Sequence, residues 1–178
     1  MAVIRKFKAI RPTSKMAEAV AALPYDVVNS EEAREMTKDK PYSFLHVDKA
    51  EIDLPVDTDI YSPQVYAKAK ENLDKLVSDG ILVQDNKPML YVYELTMDGR
   101  SQTGLVACTS IDEYLNGIIK KHELTREDKE QDRIRHVDIC NANTGPIFLA
   151  YRTVDEISAI IENVKKNAPV YDFTAEDG

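Results

Sequence analysis

Hydrophobic and polar positions change period several times along the chain, and each change marks an element. Residues 3–10 alternate before Arg11-Pro12 and predict an opening strand. Thr13 or Ser14 then caps a short helix over 15–23, where Met16, Ala19, Val20 and Leu23 recur at helical spacing. Pro24-Tyr25-Asp26-Val27-Val28 reads as a rigid extended turn, because proline disfavours the helical conformation of the residue before it. A second helix begins at Asn29 or Ser30, places Glu31 and Glu32 at the positive end of its dipole, and stops near Lys40-Pro41. The apolar run 43–47 predicts a buried strand. The acidic stretch 48–62 reads as an irregular excursion and a candidate lid, with packing of Ile52, Leu54 and Ile60 onto the core as the alternative.

From Ser62-Pro63 the pattern is helical again. Val65, Tyr66, Ala69, Leu73, Leu76 and Val77 form one apolar stripe, and Gly80 supplies the stop. Two runs, 90–96 and 102–111, are rich in branched and aromatic residues and flank Met97-Asp98-Gly99-Arg100, a strong hairpin signal. Residues 112–116 turn. Further on, 146–151 predicts a strand, 154–164 a helix with Val154, Ile157, Ile160, Ile161 and Val164 inward, and 169–173 a last strand. Strands and helices interleave without regular βαβ alternation. The pattern therefore predicts an α+β fold, a single domain with a mixed, mostly antiparallel sheet and helices packed on it.

Composition narrows the class. A chain of 178 residues, 43% apolar and 30% charged, has enough material for a core and none of the bias of disordered chains. Two distant cysteines, Cys108 and Cys140, build neither a disulfide framework nor a zinc site and predict reduced thiols in a cytoplasmic protein. No apolar run is long enough for a signal peptide or a membrane span. A net charge of -8 works against nucleic-acid binding, which relies on neutralising phosphates. Nothing in the sequence fixes an oligomeric state.

Candidate chemistry concentrates between Ile118 and Gly145. This stretch holds His122 and His136, with six basic and six acidic residues between Ile118 and Asp138, beside the small-residue loop Asn141-Ala142-Asn143-Thr144-Gly145. Thr125 followed by Asp128 predicts a capping box and a helix over 126–137, on which Lys129, Arg133 and His136 share a face. Lys129 and Arg133 are like charges one turn apart, a mild cost that a bound anion relieves. Lys121, Thr125, Arg126, Arg133, Asn141 and Asn143 are the expected ligand-binding residues. His122, Glu123 and Asp128 are the expected catalytic residues, His122 as acid, base or phosphate contact and Glu123 or Asp128 as base or contact to a nucleotide's Mg²⁺, with no metal-site residues assigned. The competing reading is a solvated helix laced with salt bridges. No GxxxxGK[ST] or GxGxxG loop occurs.

Six stretches together resemble a bacterial family catalogued as domain of unknown function 1015. They are Pro24-Tyr25-Asp26-Val27-Val28, Ser43-Phe44-Leu45-His46-Val47, Glu51-Ile52-Asp53-Leu54-Pro55, Lys121-His122-Glu123-Leu124-Thr125, Gly145-Pro146-Ile147-Phe148-Leu149 and Tyr171-Asp172-Phe173-Thr174. The resemblance implies an N-terminal part of a protein of about twice this length, in keeping with a tail that follows an expected strand and lacks a closing helix. It also implies a second half similar to ParB-like, sulfiredoxin-like and free-serine-kinase proteins, whose Asp-Gly-His-His-Arg motif this chain does not contain. The functional expectation is binding of a nucleotide or phosphorylated small molecule, with nucleotide and Mg²⁺ as cofactors and phosphotransfer by the full-length protein. A ParB-like DNA-associated role and a purely structural or interaction role are the alternatives.

Overall fold

The computed structural model describes residues 2–122 and 124–175. In chain order these form β1 (Ile4–Arg5), β2 (Ile10–Pro12), α1 (Ala17–Val20), α2 (Ser30–Thr37), α3 (Leu45–Asp48), a 3-10 turn (Ala50–Asp53), α4 (Pro63–Ser78), β3 (Leu82–Gln84), β4 (Tyr91–Met97), β5 (Arg100–Val106), β6 (Cys108–Thr109), α5 (Ile111–Leu115), α6 (Glu127–Cys140) and α7 (Asp155–Val164). The fold is α+β, and its strands pair two by two. The chain groups into two compact units. One comprises Pro12–Val83 and Thr125–Phe148, the other Met1–Arg11, Gln84–Leu124 and Leu149–Gly178.

The first of these, the helical unit, holds every buried apolar residue among the described ones except Ile161. Two of its helices, α2 and α4, start where local chemistry places them. The Asn29 side chain accepts from the backbone N–H groups of Glu31 and Glu32 at 2.9 Å each, and Glu32 returns a bond to the Asn29 N–H, closing a capping box. Pro63 sits in the first turn of α4, where its missing N–H costs nothing. Val65, Tyr66, Ala69, Leu73 and Leu76 of that helix are buried, and all of these but Tyr66 pack with Val20, Val47, Ala50, Leu82 and Cys140. A smaller cluster joins Ala33, Leu45 and Ile52.

Residues 43–47 correct the expected strand: α3 and the turn before it occupy them. A short apolar run carries no period of its own, and helical spacing here still buries Leu45 and Val47 completely or nearly so. The stretch 48–62 is not free. Ala50, Glu51 and Ile52 are buried, and the Arg34 guanidinium clamps the backbone carbonyls of Glu51, Ile52 and Leu54. The packed alternative holds for Ile52 and Leu54, whereas Ile60 is exposed. Thr13 and Ser14 do not cap α1, whose N-cap is Met16 with no side-chain bond.

In the second unit, β4 and β5 pair in antiparallel register from Tyr91↔Val106 to Met97↔Arg100. Asp98 and Gly99 both have positive φ, 53° and 74°, as a two-residue hairpin of this twist requires. The expected opening strand is interrupted. β1 pairs antiparallel with β6, Phe7 makes an isolated bridge to Met89, and the Asp85 N–H donates to the Ala9 carbonyl. Arg11 donates to both oxygens of Asp85 and, at 2.7 Å, to the Tyr171 hydroxyl, while Tyr91 donates to Asp85 at 2.7 Å. These bonds raise the Arg11 pKa and lower that of Asp85. On α7 only Ile161 is buried. Ile160 and Val164, expected inward, are exposed. Residues 146–151 and 169–173 also depart from expectation, because neither segment pairs as a strand in the described residues. A strand exists only with a ladder partner, which composition cannot supply.

Candidate functional site

Polar chemistry in the helical unit converges on α6. Its start differs from expectation. Arg126, with extended backbone, is the N-cap and makes no side-chain cap bond, so the helix begins one residue later than a Thr125 cap requires. Asp128 does not reach back to Thr125. It accepts from Arg126 Nε at 3.0 Å and Nη2 at 2.7 Å, and both side chains are exposed. Glu127, Asp128 and Glu130 lie in the first turn, so the protein's own carboxylates already face the positive end of the dipole. At the other end Asn141 adopts the left-handed conformation, φ 49°, that asparagine tolerates at a helix C-terminus.

The inner side of α6 is a buried polar layer. Tyr66 on α4, 2% exposed, donates its hydroxyl to Asp132 Oδ1 at 2.9 Å. Burial pushes the Tyr66 phenol above its ordinary value, and Asp132 adds to the shift. The Asp132 Oδ2 accepts from Arg133 Nε at 3.0 Å and lies 2.8 Å from Nη2. The same guanidinium lies 4.3 Å from the centroid of the Tyr25 ring. Arg133 is thus gripped along one edge by a carboxylate and on one face by an aromatic ring. The Nε–H is the donor committed to Asp132, which leaves Nη1 and Nη2 as an end-on fork of the kind that matches two oxygens of an oxyanion.

Deeper in, His136 is 3% exposed and its Nε2 donates to the Val47 carbonyl at 3.0 Å, while Nδ1 has no hydrogen-bond partner among the described residues. Thr144 donates to Asp48 at 2.7 Å, and burial nonetheless pushes the Asp48 carboxyl up. Burial likewise raises the Cys140 thiol, which suits a packed side chain rather than a nucleophile.

The outer side of α6 forms an open groove of about 570 Å³, lined by Tyr25 and Thr125 together with Lys129, Glu130, Arg133, Ile134, Val137 and Asp138. Lys129 donates to the Tyr61 hydroxyl at 3.2 Å, and this bond raises its pKa. Lys129 and Arg133 therefore share the groove as their spacing predicts, whereas His136 turns into the core.

Of the residues expected from sequence, Thr125 and Arg133 line this groove. Arg126 and Asp128 satisfy each other beside it. Asn141 and Asn143 are exposed beyond the end of α6 and are not among the lining residues. Lys121 and His122 belong to the other unit and are exposed, with the Lys121 ammonium 4.9 Å from the Tyr114 ring centroid. Glu123 lies outside the described residues. No group of three His, Cys, Asp or Glu among the described residues is placed to hold a metal ion, and Asp128, paired with Arg126, is no chelate by itself. Sequence reasoning missed Tyr25 and Tyr66 as parts of the site, and counted Asp132 in the charged stretch without its role toward Tyr66 and Arg133. The first stands in a motif quoted for its turn, and the other two meet across 66 positions.

The family described as "Protein of unknown function (DUF1015)" matches the chain over residues 4–178. No curated protein and no solved structure matches it. No helix among the described residues is long and apolar enough to cross a membrane.

Proposed function

The chain belongs to the DUF1015 family, and from that premise we propose that its helical unit binds the phosphate group of a small phosphorylated molecule or nucleotide in the groove on α6. The observation that carries this reading is the held guanidinium of Arg133, one turn from Lys129 in the same groove. Two cations at this spacing repel, and the repulsion is a cost that a dianion removes. Asp132 and Tyr25 fix the fork before any ligand arrives, so little side-chain entropy is lost on binding. Thr125 adds a hydroxyl. Ile134 and Val137 offer apolar surface for the rest of the ligand.

Binding is the function proposed for this unit, and phosphotransfer with a Mg²⁺-nucleotide is the activity to assay on the full-length protein. Calorimetric titration of the full chain with inorganic phosphate, ADP and ATP tests the reading. Saturable binding is expected, weakened about 10- to 100-fold by Arg133→Ala, as befits loss of charge-assisted hydrogen bonds. Binding that is absent, or indifferent to Arg133→Ala and Lys129→Ala, overturns it.

A further inference from the structure

We propose, building on the phosphate reading above, that the groove takes a zwitterion: a small molecule carrying a phosphate at one end and a primary ammonium at the other, with a short apolar span between. The order of residues around α6 points there. At about 100° per residue, and with Lys129 as origin, Arg133 lies at about 40°, Val137 at about 80°, Glu130 at about 100°, Ile134 at about 140° and Asp138 at about 180°. The lining of the groove is therefore sorted by sign into two columns, Lys129 and Arg133 with Val137 at one margin and Glu130 and Asp138 with Ile134 at the other.

These opposite charges do not pair with each other. Glu130 stands three residues before Arg133, at pairing distance on a helix, yet the guanidinium is turned to Asp132 and Tyr25. Lys129 donates to Tyr61 rather than to a carboxylate. Glu130 and Asp138 are exposed and make no ion pair among the described residues. A simple dianion in this groove gains from Lys129 and Arg133 but is opposed by the two carboxylates. A ligand with an ammonium group on its far end gains from both margins.

The test is calorimetric titration of the full chain with paired probes: ethyl phosphate against 2-aminoethyl phosphate, and butyl phosphate against 4-aminobutyl phosphate. In each pair the phosphate is the same and only the ammonium differs. At least one amino compound is expected to bind about five- to tenfold tighter than its partner, the size of a partly exposed charge pair or two. The Glu130→Gln, Asp138→Asn double variant is expected to abolish that advantage while leaving plain alkyl phosphates bound as well as before or better. Neither side chain is buried, and far-UV circular dichroism verifies the fold. Equal binding within both pairs, or an advantage that survives the double variant, overturns the zwitterion while leaving the phosphate site intact. If no phosphate compound binds, the phosphate reading falls and the zwitterion with it.

Discussion

Replacing Asp132 with alanine is the sharpest test of how the groove is built. The carboxylate is 8% exposed and accepts from Tyr66 on one oxygen and from Arg133 on the other. Its removal strands the Tyr66 hydroxyl, an unsatisfied buried donor that costs about 1–3 kcal/mol. Arg133 keeps 29% of its side-chain exposure, so it can turn to water, and the lost ion pair adds only about 0–1 kcal/mol. Relief from holding a buried charge offsets part of this sum, so the net expectation is a loss of about 2 kcal/mol. Tyr66→Phe alone should cost about 1–2 kcal/mol, since Asp132 keeps Arg133 but loses a hydroxyl donor. Because both changes break the same bond, the double variant should be little worse than Asp132→Ala, with an interaction energy of about 1–2 kcal/mol. Urea denaturation of the four proteins, followed by far-UV circular dichroism, measures all of this. Additivity within about 0.5 kcal/mol, or an Asp132→Ala protein as stable as the parent, refutes the account of a buried relay from α4 to the groove.

Three further outcomes are expected. Arg133→Lys keeps the charge but not the planar fork or the stacking on Tyr25, so phosphate affinity should fall about tenfold and close to the level of Arg133→Ala, read by calorimetry. The His46 imidazole donates Nδ1–H to Asp53 at 2.8 Å, and this bond raises the His46 pKa above its ordinary 6.5. Burial pushes the Asp53 carboxyl up, but the hydrogen bond and charge of His46 more than reverse this and hold it below 3.8. The histidine's contribution to stability is then complete below pH 6.5 and lost as pH rises through its raised folded value; the aspartate's is complete above pH 3.8 and lost as pH falls through its lowered one. Asp53→Asn should therefore destabilise most between those limits and least above neutrality, as urea midpoints across pH will report. Finally, Asn29→Ala opens the capping box of α2 and should cost about 1 kcal/mol in the same assay, whereas Asn29→Asp should cost little.

What could be read from the sequence was whatever is encoded within one turn or one hairpin. Asn29, Pro63 and Asp98-Gly99 act within a turn of their own positions, so α2, α4 and the hairpin appear where the pattern puts them. The same locality put Lys129 and Arg133 on one face of α6, although the capping box expected of Thr125 and Asp128 does not form. Failures came where an element depends on a distant partner. Residues 43–47 bury the same leucine and valine as a helix that a strand would bury, and only packing against α4 chooses between them. Residues 146–151 and 169–173 have strand composition without a ladder.

The sequence by itself determined the α+β class, the long helix, the hairpin and the helix face on which cations gather, because side-chain period and capping chemistry are local. Tertiary structure alone decided which of those cations is held ready. Tyr25 and Tyr66 reach Arg133 and its carboxylate from positions far away in the chain, and a hydrogen bond between remote residues has no period for a sequence to display.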